Sequence, residues 1–226
     1  MKRFVATGLA LLCAVPALAF QTAACPGSAA WAAAHPHESD EALAQRDAAR
    51  SFSHPLLRAQ LAERVARDQA ARITLLEDRT SYKAQVAVRA IDDENIRWLH
   101  ALVRALGFPT AKQVGEQGVH DAWVLAQHAD RVPAFQARLL PALEERAAQG
   151  ELAAGELARF TDRLLKGQGK PQRYGTQFAP AEWAGAHFGL PDEASVRAVE
   201  ANRRALGIMP LADYVCMMSE ARKPRP

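Results

Sequence analysis

Strong net charge, long apolar runs and cysteine are all scarce in this chain, and each scarcity excludes something. Lys and Arg total 28 against 25 Asp and Glu, a formal charge of +3. No basic stripe interleaves with aromatics, so no nucleic-acid partner is expected. No segment holds the roughly 20 consecutive apolar residues that a transmembrane span needs. Only three cysteines occur, and neither Cys25 nor Cys216 sits in a His- or Arg-rich setting that would make a reactive thiolate. Familiar catalytic patterns are missing as well: no Gly-x-Ser-x-Gly elbow, no His-Glu-x-x-His, no Cys-x-x-Cys and no glycine-rich dinucleotide loop. Gly167-Gln168-Gly169-Lys170 falls short of a phosphate loop. It lacks a Ser or Thr after the Lys, and a helical pattern precedes it where a strand should stand. His35-Pro36-His37-Glu38 offers two imidazoles without a third partner and reads as linker. No cofactor and no metal are expected.

What is present begins with a processing signal. Lys2-Arg3 form a positive start, Phe4 to Val15 a short apolar run, and Ala17-Leu18-Ala19 a small-x-small cleavage site. Residues 1–19 therefore read as a signal peptide cleaved after Ala19, and the product as periplasmic or secreted. Lipidation at Cys25 is the weaker reading, because the Leu usually found three positions before the Cys is absent. Cleavage removes Cys13 and leaves Cys25 and Cys216 at opposite ends. In an oxidising compartment they are either one disulfide or two unrelated thiols.

At 49% hydrophobic and 23% charged residues, the remainder has ample material for a core. Residues 20–38 lack periodicity and read as an extended arm, followed by a single helical domain over 39–226. Ser39 or Asp40 starts a helix to about Phe52, and Pro55, favoured at a first helical position, opens another to about Asp78. Leu57, Leu61 and Val65 mark its buried side, and Asp68 and Arg72 can pair at i, i+4. Asp92 reads as the N-cap of the next helix, with acids in its first turn and Gly107 and Pro109 at its end. Further helices are expected from Glu116 to Ala129, Pro133 to Gln149, Glu151 to Lys166, Pro191 to Ala205 and Pro210 to Met218. The fold class is all-α, a single domain of about seven or eight helices. One small irregular or β-hairpin insert is expected near 172–190.

That insert opens with Gln172-Arg173-Tyr174-Gly175-Thr176-Gln177-Phe178, polar and aromatic where its surroundings are Ala/Leu/Arg/Glu helix. Buried polar groups need partners, so the stretch is either a solvated loop or one wall of a polar site. The helix from Glu116 carries His120, Asp121, Gln127 and His128 on its polar side. His128 either faces water near a helix C-terminus or acts as acid–base or ligand, with an acid such as Asp68 or Asp93 orienting it.

Asp92-x-Glu94-Asn95, Gln127-His128-Ala129-Asp130, Thr161-Asp162-Arg163 and Gln172-Arg173-Tyr174-Gly175-Thr176-Gln177 follow one another in an order that resembles the bacterial family "domain of unknown function 6624". Arg67-Asp68-Gln69-x-x-Arg72 is similar to that family's upstream helix, and Gly207-x-x-Pro210-Leu211-x-x-Tyr214 to its C-terminal end. The likeness covers roughly residues 60–216. Asp121 departs from it, standing where the family more often has an apolar residue, and so reads as a surface variation. The resemblance implies that His128 and Gln172–Gln177 converge, but it brings no established activity. Candidate catalytic residues are then His128, Asp68 and Asp130. Candidate binding residues are Gln69, Arg72, Asn95, Gln127, Gln172, Arg173, Tyr174, Thr176 and Gln177. Two readings follow. In one, the cluster belongs to a binding or structural module for a small polar ligand or a protein partner. In the other, a hydrolase or transferase acts on a sugar- or peptide-like substrate, with His128 as general acid–base and Arg72 or Arg173 as anion clamp.

Overall fold

A computed structural model describes residues 24–178 and 185–221. The signal-peptide pattern and its cleavage site lie outside them. Nine α-helices occur among the described residues: α1 (Pro26–Ala34), α2 (Asp40–Ala48), α3 (Pro55–Glu77), α4 (Tyr82–Leu106), α5 (Ala111–Gln127), α6 (Pro133–Ala148), α7 (Ala154–Gly167), α8 (Glu193–Leu206) and α9 (Leu211–Ala221). None is long and apolar enough to cross a membrane.

The domain is built around α5, which packs against α2, α3, α4, α6 and α7. Its sequence explains this position: Val114, Val119, Ala122, Trp123, Val124, Leu125 and Ala126 leave it apolar nearly all round, so it can be satisfied only from several sides. Leu61 from α3, Leu99 from α4, Leu139 and Leu143 from α6 and Phe160 from α7 close over it. A fully buried leucine of this kind stabilises by about 2 kcal/mol. A smaller core of Phe178, Val199, Leu211 and Val215 joins α8 and α9 to the end of the 172–178 loop.

Several boundaries differ from the sequence reading. Residues 26–34, read as extended arm, are helical. Pro26 sits in the first turn, and α1 is bonded to the far end of the chain through a Cys25–Cys216 disulfide with Cα atoms 5.8 Å apart. Asp92 is not an N-cap. Ser81 caps the helix instead, accepting from the Ala84 N–H at 3.3 Å, and α4 runs on unbroken through the acidic triplet. Buried Ala84, Val88, Asn95 and Leu99 recur at helical spacing on both sides of Asp92, and that periodicity outweighs its capping propensity. Asp121 is buried, 4% exposed, and accepts from Gln117 Nε2 at 3.0 Å, so it is no surface variation. No strand occurs among the described residues. Residues 172–178 form a loop, and the middle of the expected hairpin, 179–184, lies outside the described residues.

Candidate functional site

Three helices bring four ionisable side chains together. Asp68 and Arg72 stand one turn apart on α3, Asp92 faces them from α4, and His128 is the C-cap residue of α5. His128 Nδ1 lies 3.0 Å from Asp68 Oδ2 and 3.1 Å from Arg72 Nε. Arg72 Nε also reaches both Asp68 oxygens, at 3.2 and 3.1 Å, and its terminal nitrogen pairs with Asp92. One ring nitrogen cannot donate to Asp68 and accept from Arg72 at once. Arg72 Nε has a single proton, and the carboxylate is its better acceptor, so His128 Nδ1–H is assigned to Asp68. Among the described residues nothing hydrogen-bonds His128 Nε2. Gln69 Nε2 donates to Asp68 Oδ2 at 3.1 Å, completing the set around a carboxylate that is only 1% exposed.

The two acids respond differently to burial. For Asp68 burial pushes the pKa up, but the hydrogen bonds and charges of His128 and Arg72 outweigh it and hold the carboxyl below its usual range. For Asp92 burial prevails over the attraction of Arg72 and His128, and its pKa is raised. Asn95, one turn further along α4, accepts from Arg64 at 3.1 Å, while its buried Nδ2 has no partner among the described residues.

Other expected members are engaged elsewhere. Asp93 pairs with Arg131, and Asp130 is held by Arg163, whose Nε lies 2.6 Å from Asp130 Oδ1. Neither orients His128. The backbone carbonyl of Gln127 accepts from Gln136 Nε2 at 3.2 Å.

The Gln172–Phe178 loop forms a second network, organised by Asp162 on α7. That carboxylate, 0% exposed, accepts from the backbone N–H groups of Arg173 at 2.7 Å, Tyr174 at 2.9 Å and Thr176 at 2.9 Å, and from the Thr176 hydroxyl at 2.9 Å. Burial raises its pKa against the pull of these donors. Gln172 Oε1 accepts the N–H of Thr176 and Gln177 at 3.0 and 2.7 Å, and its amide donates to the Gln177 carbonyl at 3.1 Å. Gln177 Nε2 in turn donates to the Arg159 carbonyl at 3.4 Å. Buried Arg203 on α8 donates to the Tyr174 carbonyl at 2.6 Å, and Asn202 to that of Arg173 at 3.0 Å. Gly175 has φ +63°, and a Cβ there would meet Leu211 at 3.0 Å and Val199 at 3.1 Å, so the turn requires glycine. None of these hydrogen bonds reaches His128 or Asp68. The nearest link runs through α7, where Asp162 holds the loop and its neighbour Arg163 holds Asp130, two residues beyond His128.

Arg203 escaped the sequence reading altogether, and Asp162 entered it only within the Thr161-Asp162-Arg163 motif, not as a candidate site residue. Asp162 had a signal. It stands four residues after the fully buried Ala158, so an acid occupies the inward stripe of an amphipathic helix.

These observations define an all-α domain with a buried, arginine-supported Asp–His pair and a carboxylate-anchored loop. Residues 53–223 match a family described as "Family of unknown function (DUF6624)", and the chain belongs to it. No curated protein and no solved structure matches the chain.

Proposed function

We propose that the protein is exported and acts as a binding module for a small polar ligand. Its contact site is the cluster of Asp68, Gln69, Arg72, Asp92 and His128, flanked by Asn95 and Gln127. Gln172, Arg173, Tyr174, Thr176 and Gln177 serve as its structural fastener. The carrying observation is the Asp68–His128 contact at 3.0 Å, made by a carboxylate with almost no solvent exposure. Such a partner fixes the orientation and tautomer of the imidazole and leaves Nε2 uncommitted. Arg72 adds a cation, and Gln69 and Gln127 add amides that suit a sugar or peptide. Export is supported by the leader pattern and by a disulfide, which persists in oxidising compartments.

The same oriented imidazole favours a second reading, a hydrolase or transferase with His128 as general acid–base. It ranks lower because no Ser, Thr or Cys side chain among the described residues is hydrogen-bonded to His128. A thermal-shift screen of sugars, short peptides and small acids separates the readings. In the binding reading, His128→Ala abolishes ligand-induced stabilisation while the melting temperature of the free protein changes by only a few degrees. Asp162→Asn does the reverse, melting earlier yet still responding to ligand. Any ligand that stabilises wild type and His128→Ala equally rules out the cluster as the site. Turnover that disappears with His128 would promote the enzyme reading.

A further inference from the structure

A cavity of about 290 Å³ lies between α1, α7, α9 and the 172–178 loop, away from His128. Trp31 on α1, Ile208 and Met209 before α9 and Met217 on α9 give it apolar walls. Its charged lining is of one sign, Arg159 and Arg203, with His35 and Tyr214 beside them and no carboxylate among the described residues that line it.

Two of these cations lack a full counter-charge. Arg203, 2% exposed, donates to the carbonyls of Met209 and Tyr174, both at 2.6 Å, and lies over the Tyr214 ring at 4.8 Å. No carboxylate among the described residues forms an ion pair with it. Burial lowers its pKa and outweighs the opposing pull of Tyr214, Glu200 and Asp162 nearby. Among the described residues Arg159 has only a distant acid, Glu156 Oε1 at 3.9 Å, and that same oxygen is engaged by His120. The other face of Arg159 lies on the Trp123 ring at 5.1 Å. His35 stacks on Trp31 at 3.8 Å with Nδ1 on the Trp31 carbonyl, which leaves Nε2 for a ligand. Buried charge in a poorly screened cavity projects its field into the space beside it.

We infer that this cavity binds a small organic anion, a carboxylate on an aromatic or branched apolar body, with Arg159 as the carboxylate's partner. The apolar body packs against Trp31, Met209 and Met217, and the His35 ring closes the mouth. The wall supplied by α1 is held on α9 by the Cys25–Cys216 bond, and α1 lies outside residues 53–223 that match the family. The site therefore goes beyond the His128 cluster and does not depend on it.

Calorimetric titration of the oxidised, leader-free protein with hydrocinnamate, its neutral amide and phenylpropylammonium tests this at low salt. The acid should bind about tenfold or more tightly than the amide, the gain expected of one charge-assisted hydrogen bond, and the ammonium should not bind. Arg159→Gln, at a half-exposed position, should bring the acid down to the amide's affinity, whereas Arg159→Lys should restore part of the preference. A Cβ at Gly155, which lines the cavity, meets nothing within 4 Å. Gly155→Leu should therefore fill the space, weaken the acid about tenfold or more and leave melting unchanged or higher. His128→Ala should bind as wild type does. Failure of all three probes, equal affinity for acid and amide, or a preference that survives Arg159→Gln each overturns the assignment. So does unchanged binding by Gly155→Leu.

Discussion

Gly115 decides how the central helix is built. Its backbone, φ 77° and ψ 167°, lies in a region open essentially to glycine alone, and it breaks α5 one turn in. The N–H groups of Glu116 and Gln117 that the break releases are taken by Asp47 from α2, at 2.8 and 3.0 Å. That carboxylate also pairs with Arg58 at 3.0 Å. A Cβ at Gly115 would come within 2.4 Å of Asp47 Oδ2, so Gly115→Ala faces both backbone strain and a displaced cap. The backbone cost alone is about 1–3 kcal/mol. We expect a lower urea midpoint for Gly115→Ala, and none for Gly155→Ala, where a methyl meets open space. At this scale the sequence misled in instructive ways. An acid at Asp92 has the composition of a helix start, and only the apolar positions upstream reveal that the helix has already begun. His128 looked solvent-facing on its own helix, because amphipathicity within α5 carries no record of the Asp68–Arg72 pair on α3.

Among the elements, α7 has two separable tasks, and each has its own signature. The first is to hold the 172–178 loop. Asp162→Ala would orphan the N–H groups of Arg173 and Tyr174, each costing about 1–3 kcal/mol where buried, and leave the Thr176 N–H to Gln172 Oε1 alone. Amide exchange at these three positions should accelerate first, before exchange in the α5 core, and uniform acceleration would show that the loop is not a separate unit. The second task is docking on α5 through His120 and Glu156, reinforced by Trp123 Nε1 donating to the Glu156 carbonyl at 3.1 Å. Burial pushes the His120 pKa down, but the hydrogen bond and charge of Glu156 outweigh it, so the native value stands above the usual 6.5. A raised histidine pKa contributes stability that is complete below about pH 6.5 and fades as pH climbs through the native value. Chemical denaturation should therefore show stability falling with pH in that window, and Glu156→Gln should flatten the slope. The helices themselves were largely legible, since Pro55, Pro133, Gly107 and Gly207 punctuate the sequence as they do the structure. The loop's anchor was less so, because one carboxylate accepting several backbone N–H groups leaves almost no trace in the loop's own residues.

For the whole molecule, the Cys25–Cys216 bond matters most. It spans 191 positions of sequence, and the chain-entropy argument gives about 5 kcal/mol as an upper bound for so long a loop. Reduction should lower the melting temperature and expose the amides of α1, which this bond ties to α9. If reduced and oxidised protein melt alike, α1 is held by packing and the bond is incidental. The sequence left the pairing open because two cysteines at opposite ends say nothing about distance; the path of the intervening helices brings them together. That closure makes the domain, in covalent terms, a ring from residue 25 to residue 216. A protease cutting once inside it leaves a single molecule, and two cuts are needed to release a fragment. Nicked protein should thus run as one intact species until a reductant is added.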